Sequence, residues 1–279
     1  MYNKECRKLG LKVIDESRLY FTVGSSKGVA LKDKNKVIGD YLRDLTTEDI
    51  ENARFYLKDL GPQIAWKTVF LVEYAGPIAI TLALCLFRKQ IYNTDEALSF
   101  YQYLGVGLVL FHYVKRELET IFIHRFGNDT MPWMNIVKNC FGYWFVFGVC
   151  CMYFFLKPSY KPAVWVDETV SIILAGFFIF FEILNLITHV VLRNLRQVGT
   201  NQRGIPQGWG FGYVSCANYF WETLSWFTFA VFVQNWGAYL FLIMGFVQML
   251  IWAQEKHKRY LREFPDYPKD RKAMIPFII

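Results

Sequence analysis

The sequence has few charged residues for its length, and this scarcity excludes an ordinary soluble chain. Charged residues make up 20% of the 279 residues, whereas soluble domains carry about 25%. Hydrophobic residues make up 54% and aromatic residues 19%, which is too apolar for a disordered chain. The six cysteines form no CxxC pair and are too few for a secreted disulfide scaffold. The composition therefore predicts a multi-span membrane protein.

Several catalytic motifs are also absent from the sequence. It contains no Walker A sequence, no G-x-S-x-G and no H-E-x-x-H, and four histidines are too few for a multi-histidine di-iron site. The glycines of 208–212 neither follow a strand nor match G-x-G-x-x-G, so a Rossmann cofactor site is unsupported. Any nucleotide must bind within the helix bundle itself, and we expect neither a metal nor a nucleic-acid partner.

Six apolar stretches predict transmembrane helices. A span crosses about 30 Å of hydrocarbon, which takes about 20 helical residues, and the second and third stretches only approach that length. The stretches are 66–87, 98–114, 139–156, 169–192, 213–233 and 236–253. Lys and Arg concentrate in the loops on one side and in the C-terminal tail, so both termini are expected in the cytosol. The predicted fold class is an all-α polytopic membrane protein with six or seven transmembrane helices.

The N-terminal residues differ in character from the rest of the chain. Residues 1–60 predict a small cytosolic α+β module, with strand-like runs at Leu19–Val23 and Ala53–Leu57 and a helix at Asp40–Leu45. Residues 61–279 then form the membrane-embedded domain with its cytosolic tail.

Polar side chains inside the predicted spans mark a candidate site, because an ionisable group in hydrocarbon costs on the order of 3 kcal/mol. They are Glu73 in the first span; Glu182, Asn185, His189, Arg193 and Arg196 along one helical stripe of the fourth; and Asn218, Tyr219 and Glu222 in the fifth. His257 and Tyr260 share a face of the tail helix on the same side. Together these groups predict a polar cavity, open to the cytosol, for a ligand with a phosphate end and an apolar end.

Each of these groups also has a plainer interpretation. Glu222 and Asn218 could hydrogen-bond between helices as packing contacts, and Lys115 with Glu119 could be an ordinary solvated pair at i,i+4. Tyr113 could be an interfacial aromatic residue. His257 could be a solvated tail residue.

Several long strings resemble the very-long-chain trans-2-enoyl-CoA reductases of the steroid 5α-reductase family. They are FLVEYAGP (70–77), HYVKRELETIFIHRF (112–126), TMPWMNIVKNC (130–140), LRNLRQVGTNQRGIPQGWGF (192–211), VSCANYFWE (214–222) and KHKRYLREFPDYPKDRKAMIPFII (256–279). The resemblance covers roughly 55–279 and implies a steroid-5α-reductase-like bundle. The resemblance also implies that the region from about Leu19 to Leu60 corresponds to the second half of the ubiquitin-like module of animal relatives.

This resemblance implies an enzyme that reduces the C2=C3 double bond of a long-chain trans-2-enoyl-CoA with NADPH. The reaction is the last step of very-long-chain fatty acid elongation at the endoplasmic reticulum membrane, which also feeds sphingolipid metabolism. By position, Tyr219 is the expected proton donor, Lys115 and Glu73 are expected to be needed for activity, and Tyr113 is expected at the substrate carbonyl. The expected cofactor contacts are Arg116, Asn185, Arg193, Arg196, Arg203, Asn218, Glu222, His257 and Tyr260. Membrane lipid and the elongase, ketoacyl-CoA reductase and hydroxyacyl-CoA dehydratase of the same cycle are the expected partners.

Other functions remain open from the sequence. The same fold could reduce a steroid or polyprenol enone, or the chain could be a lipid-binding membrane protein without catalytic activity. A transporter is least favoured, because neither an inverted repeat nor paired broken helices are evident.

Overall fold

The computed structural model describes residues 19–23, 29–30, 55–126, 130–196 and 204–279. The predicted helix at 40–45 and Arg203 lie outside these ranges. The chain divides into two compact units, Met1–Trp66 with Asn128–Asn135, and Lys67–Gly127 with Ile136–Ile279.

The first unit contains short antiparallel strands. Strand β1 (Leu19–Val23) lies between β2 (Val29–Ala30) and β3 (Phe55–Asp59), and β4 (Gln63–Ala65) pairs with β5 (Thr130–Pro132). The strand predicted at 19–23 is confirmed. The second predicted strand, 53–57, is confirmed over 55–57 and extends to Asp59, where its pairing with Leu19 of β1 ends. Residues 53 and 54 lie outside the described ranges. The ubiquitin-like character of the module and the boundary at residue 60 stay predictions.

The second unit is built from helices. They are α1 (Trp66–Leu86), α2 (Arg88–Tyr92), α3 (Phe100–Leu118), α4 (Met134–Cys140), α5 (Glu168–Asn194), α6 (Ala217–Val233) and α7 (Trp236–Glu263). Two of them continue as π-helices, α3 through Glu119–Ile123 and α4 through Phe141–Tyr153. A π-helix inside an α-helix is frequently found at functional sites.

Side-chain caps explain where three of these helices begin. Ser99 forms a capping box with Gln102 at α3, and Asp167 accepts a hydrogen bond from the Val170 N–H at α5. Asn235 caps α7 through the Ala238 N–H at 2.8 Å. Such caps satisfy backbone N–H groups that have no partner within the helix.

Within the described part of the chain, four helices are long and apolar enough to cross a membrane. They are Trp66–Leu86, Met134–Tyr153, Glu168–Asn194 and Trp236–Glu263. Helices also lie at the second and fifth predicted spans, but α6 has 17 residues, which covers only about 26 Å, and α3 ends in a charged turn. The total number of spans therefore stays a prediction.

The predicted start of the fifth span is wrong. Residues 213–216 are not helical, because their backbone groups pair with the C-terminal tail: Lys272 N donates to Tyr213 O at 2.9 Å and Ser215 N to Lys272 O at 2.8 Å. The helix begins only at Ala217. Conversely, α7 runs ten residues beyond the predicted end at 253, to Glu263, and carries the basic tail residues in helical form.

An aromatic core fixes the helices on which the site is built. Trp226 of α6 packs against Phe147 and Phe241, with ring centroids 5.1 and 4.9 Å apart, and so joins α6 to the π-helical segment and to α7. At the start of α7, a Cβ on Gly237 would lie 2.1 Å from the backbone oxygen of Cys150. Only glycine permits so close a backbone approach.

Candidate active site

Helices α3 and α5 meet through buried charged side chains. His112 Nδ1 lies 2.9 Å from Glu182 Oε1, and Lys115 Nζ lies 2.9 Å from Glu182 Oε2. His112 and Lys115 are three residues apart and so lie on the same side of α3. A buried carboxylate needs such partners, because desolvation otherwise favours the neutral, protonated acid.

Glu119 is the second carboxylate of this network. Arg116 Nη1 lies 2.6 Å, His189 Nδ1 3.0 Å and Lys115 Nζ 3.3 Å from its oxygens. Burial alone would raise the pKa of the Glu119 carboxyl, but His189 and Arg116 beside it hold that pKa below its usual range. The side chains of Lys115 and Glu119 are only 9% and 1% exposed, so the interpretation as a solvated pair is wrong.

Arg116 extends the network to α1. Its Nη2 donates to the Tyr74 hydroxyl at 2.7 Å, and its guanidinium carbon lies 5.0 Å from the centre of the Tyr74 ring. The donor atoms of Glu119, His124 and His189 lie within 4.8 Å of one another, which resembles a metal-ligand set. Arg116 already supplies the positive charge there, so this cluster has the character of an ion-pair network.

Asn185 connects this network to α6. Lys115 Nζ donates to its Oδ1 at 2.6 Å, and its own Nδ2 donates to the backbone oxygen of Asn218 at 2.9 Å. Lys115 therefore reaches, through one amide, the residue that precedes Tyr219. Each amide atom of Asn185 keeps one further hydrogen-bonding position, so an added cofactor contact is chemically compatible.

Six buried polar side-chain atoms lack a hydrogen-bond partner among the residues that the structure describes, and two of them belong to residues predicted to contact the substrate or the cofactor. These two atoms are the Tyr113 hydroxyl and Asn218 Oδ1. Tyr113 is 0% exposed and lies in the core, which is incompatible with an interfacial position. A buried group without a partner is uncommon and calls for an explanation such as a ligand.

Tyr219 lies in the first turn of α6 and is half-buried. It packs against a small cluster formed by Cys216, Ala253, Ala273 and Met274. Ala273 and Met274 belong to the tail, and the Cys216 N–H donates to the Ala273 carbonyl at 3.1 Å. The C-terminal tail thus supports the position of Tyr219.

His257 forms a hydrogen bond with Ser215, in the segment that precedes α6. Its Nδ1 lies 2.6 Å from Ser215 Oγ, which lies 2.6 Å from the Tyr267 hydroxyl. Tyr260 is buried and stacks on Tyr267 with ring centroids 5.2 Å apart. Burial raises the pKa of the Tyr267 phenol, which keeps it a hydrogen-bond donor at neutral pH. His257 is therefore a partly exposed tail residue that is also tied to Ser215 by a hydrogen bond.

The remaining predicted site residues are placed less centrally. Glu73 is buried and accepts a hydrogen bond from Asn139 Nδ2 at 2.7 Å. Glu222 Oε1 accepts from Trp226 Nε1 at 3.1 Å and lies 3.6 Å from His112 Nε2, so it does make the interhelical contact expected of a packing group.

The arginines at the end of α5 are half-buried. Arg196 donates to the backbone oxygen of Arg125, and Arg125 donates in turn to the backbone oxygens of Arg193 and Arg196. Arg203 lies outside the described ranges.

Two central residues, His112 and Glu119, were not predicted from the sequence to belong to the site. His112 joins Glu182 of α5 to Glu222 of α6, and Glu119 joins Lys115, Arg116 and His189. The spacing of 112, 115, 116 and 119 places all four on one helix face, and this pattern was a usable signal.

Comparison with known proteins agrees with this architecture. Residues 129–279 match the family described as 3-oxo-5-alpha-steroid 4-dehydrogenase. The very-long-chain enoyl-CoA reductase of Dictyostelium discoideum is 44% identical over 240 residues, covering 85% of this chain and 78% of that protein. A Caenorhabditis elegans protein named in similar terms is 46% identical over 263 residues, covering 91% and 82%. The human trans-2,3-enoyl-CoA reductase-like protein is 33% identical over 264 residues, covering 91% and 72%.

The chain therefore belongs to the 3-oxo-5-alpha-steroid 4-dehydrogenase family, and its four apolar helices make it a multi-pass membrane protein. Within that family its relatives include the very-long-chain enoyl-CoA reductases. The resemblance read from the sequence strings is thereby confirmed.

Proposed function

We propose that this protein reduces the C2=C3 double bond of long-chain trans-2-enoyl-CoA, using NADPH, as the last step of very-long-chain fatty acid elongation. One observation carries the proposal: the buried Tyr113 hydroxyl lacks a partner among the described residues. The carbonyl oxygen of an enoyl thioester would supply an acceptor for this phenol. The names of the relatives support the same substrate class.

The residues of this chain would act on the thioester and on its α-carbon. NADPH would supply the hydride to C3. Tyr113 would donate a hydrogen bond to the carbonyl oxygen, on which negative charge develops, and Tyr219 would give its phenolic proton to C2. Water from the cytosol would then restore the proton of Tyr219.

Lys115 and Glu73 would act by positioning in this proposal. Lys115 is held by Glu182 and Asn185, and Asn185 holds the first turn of α6, where Tyr219 lies. Glu73 would keep α1 in register through its bond with Asn139.

The chain offers suitable chemistry for the cofactor. Asn218 Oδ1 is a buried acceptor without a partner among the described residues, and an amide N–H such as that of a nicotinamide carboxamide would satisfy it. Cations suit the phosphates. The residues that would hold the dinucleotide are Arg116, Asn185, Arg193, Arg196, Arg203, Asn218, Glu222, His257 and Tyr260.

We further propose the endoplasmic reticulum membrane as the location, with both termini in the cytosol, because Lys and Arg favour the cytosolic side. There the substrate would come from the elongase, the ketoacyl-CoA reductase and the hydroxyacyl-CoA dehydratase of the same cycle. The saturated product would supply sphingolipid synthesis.

The test is NADPH oxidation by purified, detergent-solubilised protein supplied with a long-chain trans-2-enoyl-CoA. We expect turnover with the wild type and a loss of at least about 100-fold in Tyr219→Phe, the range for removing a general acid. Tyr103→Phe is the matched control, because Tyr103 is exposed on α3, and it should turn over like the wild type.

Other results would redirect the proposal. Full activity in Tyr219→Phe would move the proton donor elsewhere, with Tyr113 the next candidate. Turnover of a steroid or polyprenol enone in place of the acyl-CoA would overturn the substrate. Absence of NADPH binding would leave a lipid-binding protein without catalytic activity.

A further inference from the structure

Three separate segments meet at Ser215. Its backbone N–H donates to the Lys272 carbonyl of the tail at 2.8 Å. Its hydroxyl bonds to His257 of α7 and to Tyr267 of the tail. Ser215 is fully buried, so this hydroxyl has a fixed set of neighbours. No predicted role was attached to Ser215 or Tyr267.

The chemistry of the two hydroxyl groups sets the direction of the bond between Tyr267 and Ser215. The Arg271 guanidinium carbon lies 5.2 Å from the centre of the Tyr267 ring. A phenol is more acidic than an aliphatic hydroxyl group and is therefore the stronger donor, so Tyr267 donates to Ser215 Oγ across their 2.6 Å contact.

The direction of the bond between Tyr267 and Ser215 determines which atom donates in the bond between Ser215 and His257. Ser215 Oγ accepts the Tyr267 proton, so its own proton is free for His257 Nδ1, 2.6 Å away. His257 Nδ1 is therefore an acceptor and carries no proton. The positive charge of Lys272 also acts on His257 and opposes an imidazolium. The neutral ring must then carry its proton on Nε2.

We propose that Ser215 and Tyr267 are positioning residues that hold His257 as its neutral Nε2–H tautomer, ready to donate to an oxygen of the bound dinucleotide. This inference rests on the proposed function, which makes His257 a cofactor contact. The acceptor would be a phosphate or ribose oxygen, because an Nε2–H group is a donor only.

The first measurement is the tautomer of His257 in the protein without substrates. Histidine-selective ¹⁵N NMR separates the Nε2–H form, the Nδ1–H form and the imidazolium, and the spectrum of His257→Gln assigns the signal among the four histidines. We expect Nε2–H in the wild type. In Ser215→Ala, which removes the donor to Nδ1, we expect a mixture of tautomers. Detection of Nδ1–H or imidazolium in the wild type would overturn the proposal.

The second measurement separates cofactor binding from the chemical step. Ser215→Ala should raise the KM for NADPH about tenfold, the effect of one hydrogen bond of about 1.4 kcal/mol, and leave kcat within about twofold. Tyr267→Phe retains the ring and its stacking on Tyr260, and should shift KM in the same direction by less. Tyr267→Phe also tests the proposal if Ser215→Ala fails to fold.

Ser225→Ala is the matched control. Ser225 is a buried serine of α6 whose hydroxyl bonds only to the Trp221 backbone oxygen of its own helix, so the variant should leave both the tautomer and KM unchanged. An unchanged KM in Ser215→Ala with an altered tautomer would overturn the link to the cofactor. If the wild type does not oxidise NADPH, the proposed function fails, and the NMR result still decides the tautomer.

Discussion

The network between α3 and α5 and the junction around Ser215 are built in different ways. The network consists of buried ions: Glu119 and Glu182 are matched by Lys115, Arg116 and His112. The junction consists of neutral hydroxyl groups and of backbone bonds between 213–216 and 272–273. Both lie next to candidate catalytic groups, Tyr113 in the first case and Tyr219 in the second.

This difference predicts how the stability of each region responds to a substitution. Loss of one ion leaves another uncompensated in a low-dielectric interior, which costs far more than the pair itself contributes. Loss of a neutral contact in the junction costs packing or one hydrogen bond. The network should therefore determine whether the protein folds, and the junction should determine how well the cofactor and Tyr219 are placed.

The largest effect should follow from removing the cation shared by both carboxylates. Lys115→Met leaves Glu182 and Glu119 with fewer partners, and we expect a loss of about 3 to 5 kcal/mol of unfolding free energy. Activity should fall with it. Thermal unfolding in detergent and NADPH oxidation measure the two effects.

Lys89→Met is the control for that variant. Lys89 pairs with Asp95 at 2.7 Å, but the two side chains are 70% and 79% exposed, so the loss should stay below about 1 kcal/mol. Equal stability of the two lysine variants would show that the network does not hold α3 to α5.

The positions of α1 and α5 could be predicted because they depend on local composition. Helices α1 and α5 begin and end within two residues of the predicted limits of their spans, since long apolar runs determine them. The start of α6 could not be predicted, because residues 213–216 take their backbone partners from residues 272–273, far along the chain.

The site was predictable in part for the same reason. The stripe of Glu182, Asn185 and His189 follows from helical spacing, and the structure buries all three on one face of α5. An i,i+4 pair such as Lys115 and Glu119 looks the same whether solvated or buried, so its role depended on how α3 packs against α5. Ser215 carried no signal, because a serine acquires its role only through distant partners.

The next effect concerns the packing of the junction. Met274 is fully buried and belongs to the cluster that supports Tyr219, so Met274→Ala should cost about 3 kcal/mol through the cavity it leaves. kcat should fall because Tyr219 is less well held. Met244→Ala is the control, since Met244 is 40% exposed on α7, and an equal loss in both would contradict the role of the cluster.

Asn185 connects the ionic network to α6. Replacing its amide nitrogen with oxygen breaks the bond to α6 and keeps the bond to Lys115. Asn185→Asp keeps the acceptor for Lys115 but removes the donor to the Asn218 oxygen, so a carboxylate faces a carbonyl oxygen. We expect a loss of about 2 kcal/mol together with lower kcat. Asn194→Asp, on the exposed end of α5, is the control. Unchanged kcat in Asn185→Asp would mean that the connection to α6 does not position Tyr219.

The smallest effect is a pH dependence at the edge of the network. Burial and the charge of Arg116 lower the pKa of His124 from 6.5 to about 2. Between these pH values His124 is protonated in the unfolded chain but not in the folded protein. The free energy of unfolding therefore falls as the pH drops below 6.5. From pH 7 to pH 5 the contribution lost is about 1 to 2 kcal/mol.

His124→Gln tests this effect, because glutamine does not titrate. Its unfolding temperature should fall less between pH 7 and pH 5 than that of the wild type, and the two proteins should differ least at pH 5. Glu119 has the same sign in a lower pH range: its pKa lies below the usual range, so its carboxylate stays charged at pH 5, and the stability that it contributes is lost only below about pH 4.5. An acid slope unchanged by His124→Gln would place the sensitivity in other groups. In that case the acid sensitivity of the unfolding temperature would not distinguish the ionic network from the neutral junction through His124.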